Sequence, residues 1–366
     1  MRIYRPVIIF LFCALLILFN LPSCKQEREA GGYSFDRAAM LQHYYDQLIL
    51  PSFEDFAAKT LFLKQAVDSF AVQPNEQNLL KARGAWQAAA LSFHGLCCFH
   101  FGPAEQLTGS LSENQGTFPV SIIKTEQYIT LQDYSMQNFD RDTRGLYGLD
   151  YLLFHDSVSA LLQQFSSQPG RLNYLKAVAA HTHAEAQSVL DGWLSYRETF
   201  TTATGVDAGS STSLLYNQFL MAYEHAKNIQ LALPMGLRVG QLQTEPSRVM
   251  GFYSGTSLVL LRAHMYAIHT VYSGRKADGS DGIGFDDYLN KIEGGNALDQ
   301  QIDNRFQELI SGIDQAGTAR MDQMITTADP RLNALYTTFQ QTIYLVKSEM
   351  SSLLGVSITY SSGDGD

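Results

Sequence analysis

The sequence predicts an all-α protein made of two helical-bundle halves packed together. Long runs place apolar residues three and four positions apart, which is the period of an amphipathic helix. No series of short segments alternates polar and apolar residues as half-buried strands do. The predicted helical runs are 35–72, 75–99, 171–199, 211–232, 249–272, 297–316 and 330–354.

Proline, glycine and small polar residues mark the limits of these runs. Pro51 is expected to kink or divide the first run, because proline cannot donate the helical hydrogen bond. Asn75 after Pro74 is typical of a helix start. Glycine and proline interrupt any long period between 102 and 137, which predicts a long, partly ordered excursion. Glycine and aspartate at 273–284 predict a solvated loop.

Turn-forming residues at 201–210 place a domain boundary near the middle of the chain. The two bundles are then expected at 35–200 and 205–366, and the second ends in a short irregular tail. A tandem duplication is compatible with this division.

The N-terminal residues predict export. Arg2 and Arg5 precede an apolar run at 7–21, which is typical of a signal peptide and short for a membrane span. The run ends in Leu-Pro-Ser-Cys, similar to a lipobox, so Cys24 would become the lipidated first residue. We expect a signal peptide at 1–23 and a polar tether at 24–34; an ordinary signal peptide with an incidental cysteine is the alternative. Either way the mature protein lies outside the cytoplasm.

Charge and cysteine content narrow the partners further. The formal net charge of −10 argues against nucleic acid and against a polybasic membrane contact, which leaves the lipid as the membrane anchor. Cys97 and Cys98 are neighbours, and neighbouring side chains on a helix diverge. We expect both thiols to be buried and unpaired.

Residues 145–155, GLYGLDYLLFH, follow a recognisable frame. The frame resembles the G-x-H-x-x-E signature of the imelysin-like family of bacterial envelope proteins, which is followed by an aromatic and aliphatic run. Gly145 is kept, but Tyr147 stands in place of the histidine and Asp150 in place of the glutamate.

Other segments resemble the same family in the same order along the chain. They are ARGAW at 82–86, FHFGP at 99–103, LPMG at 233–236, EPS at 245–247, SGTS at 254–257 and LGVSITY at 354–360. The resemblance implies two all-helical halves with a site between them. It implies that this site is formed by the signature and by polar residues of two helices, here Gly145, Tyr147, Asp150, Arg83, Trp86, Ser254 and Ser257.

The family is associated both with metallopeptidases and with iron acquisition, and the two substitutions bear on these activities differently. The sequence contains no H-E-x-x-H, and a neutral tyrosine is a poor zinc ligand. Phenolate and carboxylate oxygens suit a hard ferric ion, and Tyr147 and Asp150 are spaced to share one helical face. His43 is a further candidate ligand. The alternative is a tyrosine hydrogen-bonded to a carboxylate, with no metal.

Two of the matching segments have simpler interpretations as well. Arg83 and Trp86 could form a shelf whose guanidinium faces a carboxylate such as Asp150, or a structural ion pair between helices. The segment from Ser254 to Ser257 is typical of a helix start, whose free N–H groups could bind an anion.

Three functions follow from these observations. The first is an outer-membrane lipoprotein that faces the periplasm or the cell surface and binds iron or an iron-bearing ligand. Its partners would be outer-membrane transport proteins. The second is a metal-dependent peptidase. The third is a partner-binding scaffold whose crevice holds no metal.

Overall fold

The structure is a computed structural model that describes residues 35–105 and 109–360. Every regular element within these residues is helical, which confirms the all-α prediction. The α-helices are α1 Arg37–His43, α2 Leu50–Val72, α3 Glu76–Gly95, α4 Leu111–Gly116, α5 Ile122–Leu131, α6 Gly145–Phe154, α7 Val158–Ser167, α8 Pro169–Thr202, α9 Ser211–Glu224, α10 Ser257–Ser273, α11 Phe285–Asn290, α12 Gly295–Ala316, α13 Met321–Thr326, α14 Pro330–Tyr344 and α15 Met350–Leu354. Wider π-helical turns occupy Tyr44–Ile49, His225–Ala232 and Leu345–Glu349.

Pro51 and Asn75 mark the limits of the first helices, as the sequence predicts. The run from α1 to α2 is divided by a π-helical turn that ends just before Pro51, the second residue of α2. The Asn75 side chain accepts a hydrogen bond from the backbone N–H of Asn78 at the start of α3. Local backbone chemistry therefore sets both limits.

Two segments differ from the sequence prediction. The run predicted at 249–272 becomes helical only at Ser257, because Gly251 and Gly255 adopt φ of +62° and +72°. This left-handed backbone cannot continue a right-handed helix. Part of the excursion predicted at 102–137 is helical, since α4 and α5 lie within it.

The first half of the molecule is organised around α2, which packs against both α3 and α8. The short helix α6 rests on α3 and α8. Aromatic rings fill the space between these helices around the fully buried Trp193, which contacts Phe53, Phe101 and Phe200. This ring-on-ring packing joins α2, α8 and the segment that follows α3.

In the second half, α10 packs against α9 and α12, and α12 packs against α14. Phe306 is the centre of its aromatic core and contacts Phe219, Tyr223 and Tyr272. Helix α10 also packs against α3, and α9 packs against the turn Cys97–Phe99. Helix α3 therefore contacts both α6 and α10.

Some sequence predictions are not tested by this fold. Residues 203–210, between α8 and α9, contain no helix, and the domain boundary placed there remains a prediction, as does a tandem duplication. The predicted signal peptide, the tether and Cys24 lie outside the described residues. No helix in the described ranges has both the length and the apolar character needed to cross a membrane.

Candidate functional site

Helix α6 begins at a position that only glycine can occupy without strain. Gly145 has φ of +66°, and a Cβ there would lie 2.4 Å from the backbone oxygen of Asn114. Both the backbone conformation and the close approach of α4 exclude a larger residue. Gly145, the first residue of the signature, therefore allows α6 to pack closely against α4.

Tyr147 is buried, and its hydroxyl lies 2.9 Å from Nε2 of His94 on α3. Burial, with a smaller effect from Asp150, raises the pKa of Tyr147 above its usual range. The phenol is therefore neutral at physiological pH and is held by His94 rather than by Asp150. The sequence alternative of a tyrosine paired with a carboxylate is replaced by a tyrosine–histidine pair.

Asp150 holds the turn that precedes α10. Its two carboxylate oxygens accept hydrogen bonds from the backbone N–H groups of Tyr253, at 3.1 Å, and Ser254, at 3.0 Å. Burial raises the pKa of Asp150 to about 6, although the hydrogen bonds from Ser254 and Tyr253 act in the opposite direction. The anion expected near Ser254 is thus a carboxylate of the chain itself.

A cavity of about 370 Å³ opens beside these two side chains, and we call it the Tyr147 cavity. Tyr147 and Asp150 supply its polar groups together with Ser247, and the rest of the lining is largely apolar and aromatic. That lining includes Phe118, Val120, Val249, Phe252 and Tyr253. A mainly apolar wall with a few polar groups is typical of a small-molecule site.

Arg83 contacts the C-terminal end of α6 and Trp86 contacts its N-terminal end, and neither makes a hydrogen bond to Asp150 among the described contacts. Nε of Arg83 donates to the backbone oxygen of Leu153 at 2.8 Å, and its guanidinium lies 4.9 Å from the centre of the Phe154 ring. Nε1 of Trp86 donates to the Leu146 oxygen at 2.7 Å. Of the two alternatives for Arg83, the shelf facing Asp150 is not what forms: Arg83 satisfies the carbonyl end of a helix, where a cation is favoured.

The two predicted serines have different surroundings. The Ser254 hydroxyl donates to the Gly251 oxygen and contacts the Thr256 hydroxyl at 2.8 Å, within the turn that Asp150 holds. Ser257 is the first residue of α10, and its buried hydroxyl has no hydrogen-bond partner among the described residues. Ser254 thus adjoins Asp150 through its backbone, whereas no contact joins Ser257 to Asp150 among those described.

His43 lies away from this site. Its Nε2 is 2.6 Å from the backbone oxygen of Gly274, at the C-terminal end of α10. Asp150 meets the chain before the other end of α10, a helix of 17 residues and therefore about 25 Å long. The predicted ligand set of Tyr147, Asp150 and His43 is not brought together. Within the described ranges, no three His, Cys, Asp or Glu side chains are arranged to hold a metal ion.

A second cavity, of about 120 Å³, adjoins the first through His94, and we call it the histidine pocket. Its lining includes His94, His100, His225 and His264. Nδ1 of His94 lies 3.2 Å from Nδ1 of His264, and Nε2 of His264 lies 2.9 Å from the Ala222 oxygen. Burial lowers the pKa of His100 and of His225 to about 3, and that of His94 well below its usual range.

Sequence reasoning missed this pocket, because its histidines come from α3, the turn after it, the segment following α9 and α10. One signal was present for His94, which lies eight residues after Trp86 and so on the same buried face of α3. The neighbouring cysteines were predicted correctly: Cys97 and Cys98 are buried and unpaired.

Comparisons with known proteins confirm the family resemblance. A family model described as imelysin matches residues 49–346. The chain is 24% identical to "Iron-regulated protein A" of Synechococcus elongatus over 276 residues, which cover 73% of this chain and 72% of the relative.

Two solved structures share the fold. A candidate iron-regulated protein A precursor from Parabacteroides distasonis superposes with a TM-score of 0.75 at 17% identity, covering 88% of this chain and 97% of that one. An imelysin-like protein from Psychrobacter arcticum superposes with a TM-score of 0.72 at 14% identity, covering 90% and 100%. Identities this low show the fold alone.

Proposed function

The chain belongs to the imelysin family, and on that premise we propose that it is a cell-envelope protein that binds an iron-bearing small molecule during iron acquisition. The Tyr147 cavity carries this proposal. Its volume of about 370 Å³ lies within the usual range of small-molecule sites.

The N-terminal sequence supports the envelope part of the proposal, and the name of a relative supports the iron part. Arg2, Arg5 and the apolar run before Cys24 are typical of an exported lipoprotein. The name of the Synechococcus elongatus relative links that protein to iron regulation. We accordingly propose a lipid anchor at Cys24 in the outer membrane, a domain that faces the periplasm or the cell surface, and outer-membrane transport proteins as partners.

The hydrogen bonds in the cavity favour a complexed iron over a bare ferric ion. The Tyr147 hydroxyl is already bonded to His94, and both Asp150 oxygens accept backbone N–H groups. A bare ion would have to displace these bonds and still find further ligands. An iron chelate keeps its own ligands and needs only contact area, which the rings of Phe118 and Tyr253 provide.

Binding can be tested with a neutral ferric complex of acetohydroxamate, which avoids repulsion by a chain of net charge −10. The full-length protein in detergent should show saturable quenching of its intrinsic fluorescence. Val120→Trp, which fills the cavity, should weaken binding at least about tenfold, because contact area is lost. Val72→Trp, at a position that is 87% exposed, is the matched control and should bind normally.

Other probes separate the remaining functions. Ferric citrate that produces a tyrosinate-to-iron absorption band, lost in Tyr147→Phe, would shift the proposal from a chelate to the bare ion. Peptide cleavage abolished by a chelator would replace it with the peptidase. Failure of both ferric probes together with retention of a partner protein in pull-down would leave the scaffold.

A further inference from the structure

The wall of the Tyr147 cavity carries four aromatic rings, those of Phe118, Tyr147, Phe252 and Tyr253. The ring centres of Phe118 and Tyr147 lie 5.6 Å apart. Those of Phe252 and Tyr253 lie 5.2 Å apart, with the two ring planes at 77°. The face of an aromatic ring carries partial negative charge, so a cavity bounded by two such pairs is suited to a cation.

The same cavity carries a negative charge. Asp150 lies in its wall, and among the described residues that line it, none is lysine, arginine or histidine. Burial raises the pKa of Asp150 to about 6, and the carboxyl group is therefore ionised at neutral pH. No lining side chain of the described chain compensates this charge.

Asp150 is held by neutral groups, since each of its oxygens accepts a backbone N–H. Arg320 is close enough to act on the pKa of Asp150, but its own hydrogen bonds are made elsewhere. Its Nε donates to Asp322 at 3.1 Å, and its Nη2 donates to the backbone oxygen of Phe252 at 2.7 Å. Each oxygen of Asp150 has a second lone pair, which can accept from a ligand. A buried carboxylate without a paired cation is costly, and a cationic ligand would offset that cost.

An organic cation fits this wall better than a metal ion does. Phe118, Phe252 and Tyr253 are only half-buried, so part of each ring is open to a ligand. An alkylammonium group spreads its charge over carbon and hydrogen atoms, and it binds through ring faces and one carboxylate. A hard metal ion instead requires several oxygen ligands, and no group of three acidic, histidine or cysteine side chains that could hold one occurs in the described part of the chain.

We propose that the Tyr147 cavity selects ligands that carry an alkylammonium group, and that this group binds beside the Tyr253 ring and the Asp150 carboxylate. The apolar part of the wall, which includes Val120 and Val249, contacts the remainder of the ligand. This inference rests on the proposed function, because it takes the Tyr147 cavity as the ligand site and adds that the iron-bearing molecule is cationic at one end. The net charge of −10 favours the approach of such a ligand.

The test compares choline with its neutral analogue, in which a carbon atom replaces the nitrogen, so that the two differ in charge and hardly in shape. Each is titrated calorimetrically into the full-length protein in detergent at neutral pH, and titration into detergent alone corrects for uptake by micelles. Choline should bind at least about tenfold more tightly than the analogue. Asp150→Asn and Tyr253→Leu should each weaken choline binding at least about fivefold, whereas the affinity for the analogue should stay within about twofold.

Matched controls separate the site from general attraction of cations and from misfolding. Asp156→Asn removes an exposed carboxylate just after α6, and Tyr266→Leu removes a ring on α10 that is 54% exposed; both should bind choline as the wild type does. Circular dichroism checks each fold, and Tyr253→Leu provides the readout if Asp150→Asn does not fold. Equal affinities of the wild type for the two probes, no binding of choline, or an equal loss in Asp156→Asn and Asp150→Asn would each overturn the proposal.

The neutral ferric acetohydroxamate complex distinguishes failure of this inference from failure of the proposed function. If the wild type binds that complex but does not prefer choline to its analogue, the selection of an alkylammonium group is wrong and the proposed function stands. If the wild type prefers choline through Asp150 but binds no ferric complex, the cation site stands and the iron-bearing ligand is wrong.

Discussion

The Tyr147 cavity and the histidine pocket are neighbours with opposite chemistry. The first is lined by aromatic rings and one carboxylate, which is held by backbone N–H groups. The second is lined by imidazoles and sulfur, and its rings are held by a carbonyl oxygen and by each other. The hydrogen bond between Tyr147 and His94 joins the two.

Burial acts on both regions in the same physical way but with opposite consequences for pH. It favours the neutral form of each group, so the pKa of Asp150 rises while those of His94, His100 and His225 fall. His264 is the exception, because its contacts with Cys97 and the Ala222 oxygen outweigh burial and raise its pKa. The carboxylate site is therefore most stable in acid and the imidazole site most stable at neutral pH. Measuring the free energy of unfolding as a function of pH therefore distinguishes the contributions of the two regions.

The largest expected effect is loss of stability in acid, caused by the histidine pocket. The folded pKa values of His100 and His225 are about 3, and that of His94 is also lowered. The unfolded value is about 6.5, so the stability these groups provide is complete above that pH and is lost as the pH falls below it. Allowing for the partial exposure of His100 and His225, the contribution of these three groups to the free energy of unfolding should fall by about 3 kcal/mol per pH unit between about pH 6 and 4, and Asp150 offsets part of this fall.

Urea unfolding of the wild type and of His225→Gln across this range measures the contribution of one histidine, because the other titrating groups cancel in the difference. His225→Gln should flatten the slope by about 1 kcal/mol per pH unit, because one imidazole no longer titrates in the unfolded chain. The half-buried His155, changed to glutamine, is the matched control outside the pocket. An identical slope in His225→Gln and wild type would mean that the pocket does not exclude protons.

The next effect belongs to the other region and depends on Gly145. Gly145→Ala should lower the free energy of unfolding by about 4 kcal/mol, since it forces a side chain into left-handed backbone and against the Asn114 oxygen. Gly84→Ala is the control, because this exposed glycine lies within α3 and a Cβ there meets nothing within 4 Å. It should be neutral or stabilise by up to about 1 kcal/mol. Equal effects of the two substitutions would show that α6 is not seated by Gly145.

The sequence predicted local features of these regions better than distant contacts. The helical period, the division before Pro51 and the start at Asn75 depend on nearby residues, and all three are confirmed. Gly251 and Gly255 delayed the start of α10, because a glycine in sequence does not reveal the sign of its φ.

Contacts between helices were harder to predict. For Arg83 the sequence left open a contact with a carboxylate such as Asp150 or an ion pair between helices, whereas Arg83 binds the backbone oxygen of Leu153 at the end of α6, since helix spacing does not say which turn of a neighbour lies opposite. The histidine pocket is assembled by the packing of α10 and the segment after α9 on α3, and no sequence motif marks it.

The smallest expected effect is the contribution of Asp150 to the pH dependence of the free energy of unfolding. Its sign is opposite to that of the histidine contribution. The folded pKa of Asp150 is about 6, above its unfolded value near 3.9. Between these values the folded chain holds a proton that the unfolded chain releases, so this residue destabilises the fold as pH rises from about 4 to 6. Relative to Asp150→Asn, which cannot ionise, the wild type should lose about 3 kcal/mol of unfolding free energy over that range. In the difference between the two proteins, the contributions of all other titrating groups, including the histidines, cancel. A difference that stays constant with pH would mean that the backbone N–H groups of Tyr253 and Ser254 stabilise the carboxylate enough to offset its burial, and Asp150 would then be charged throughout.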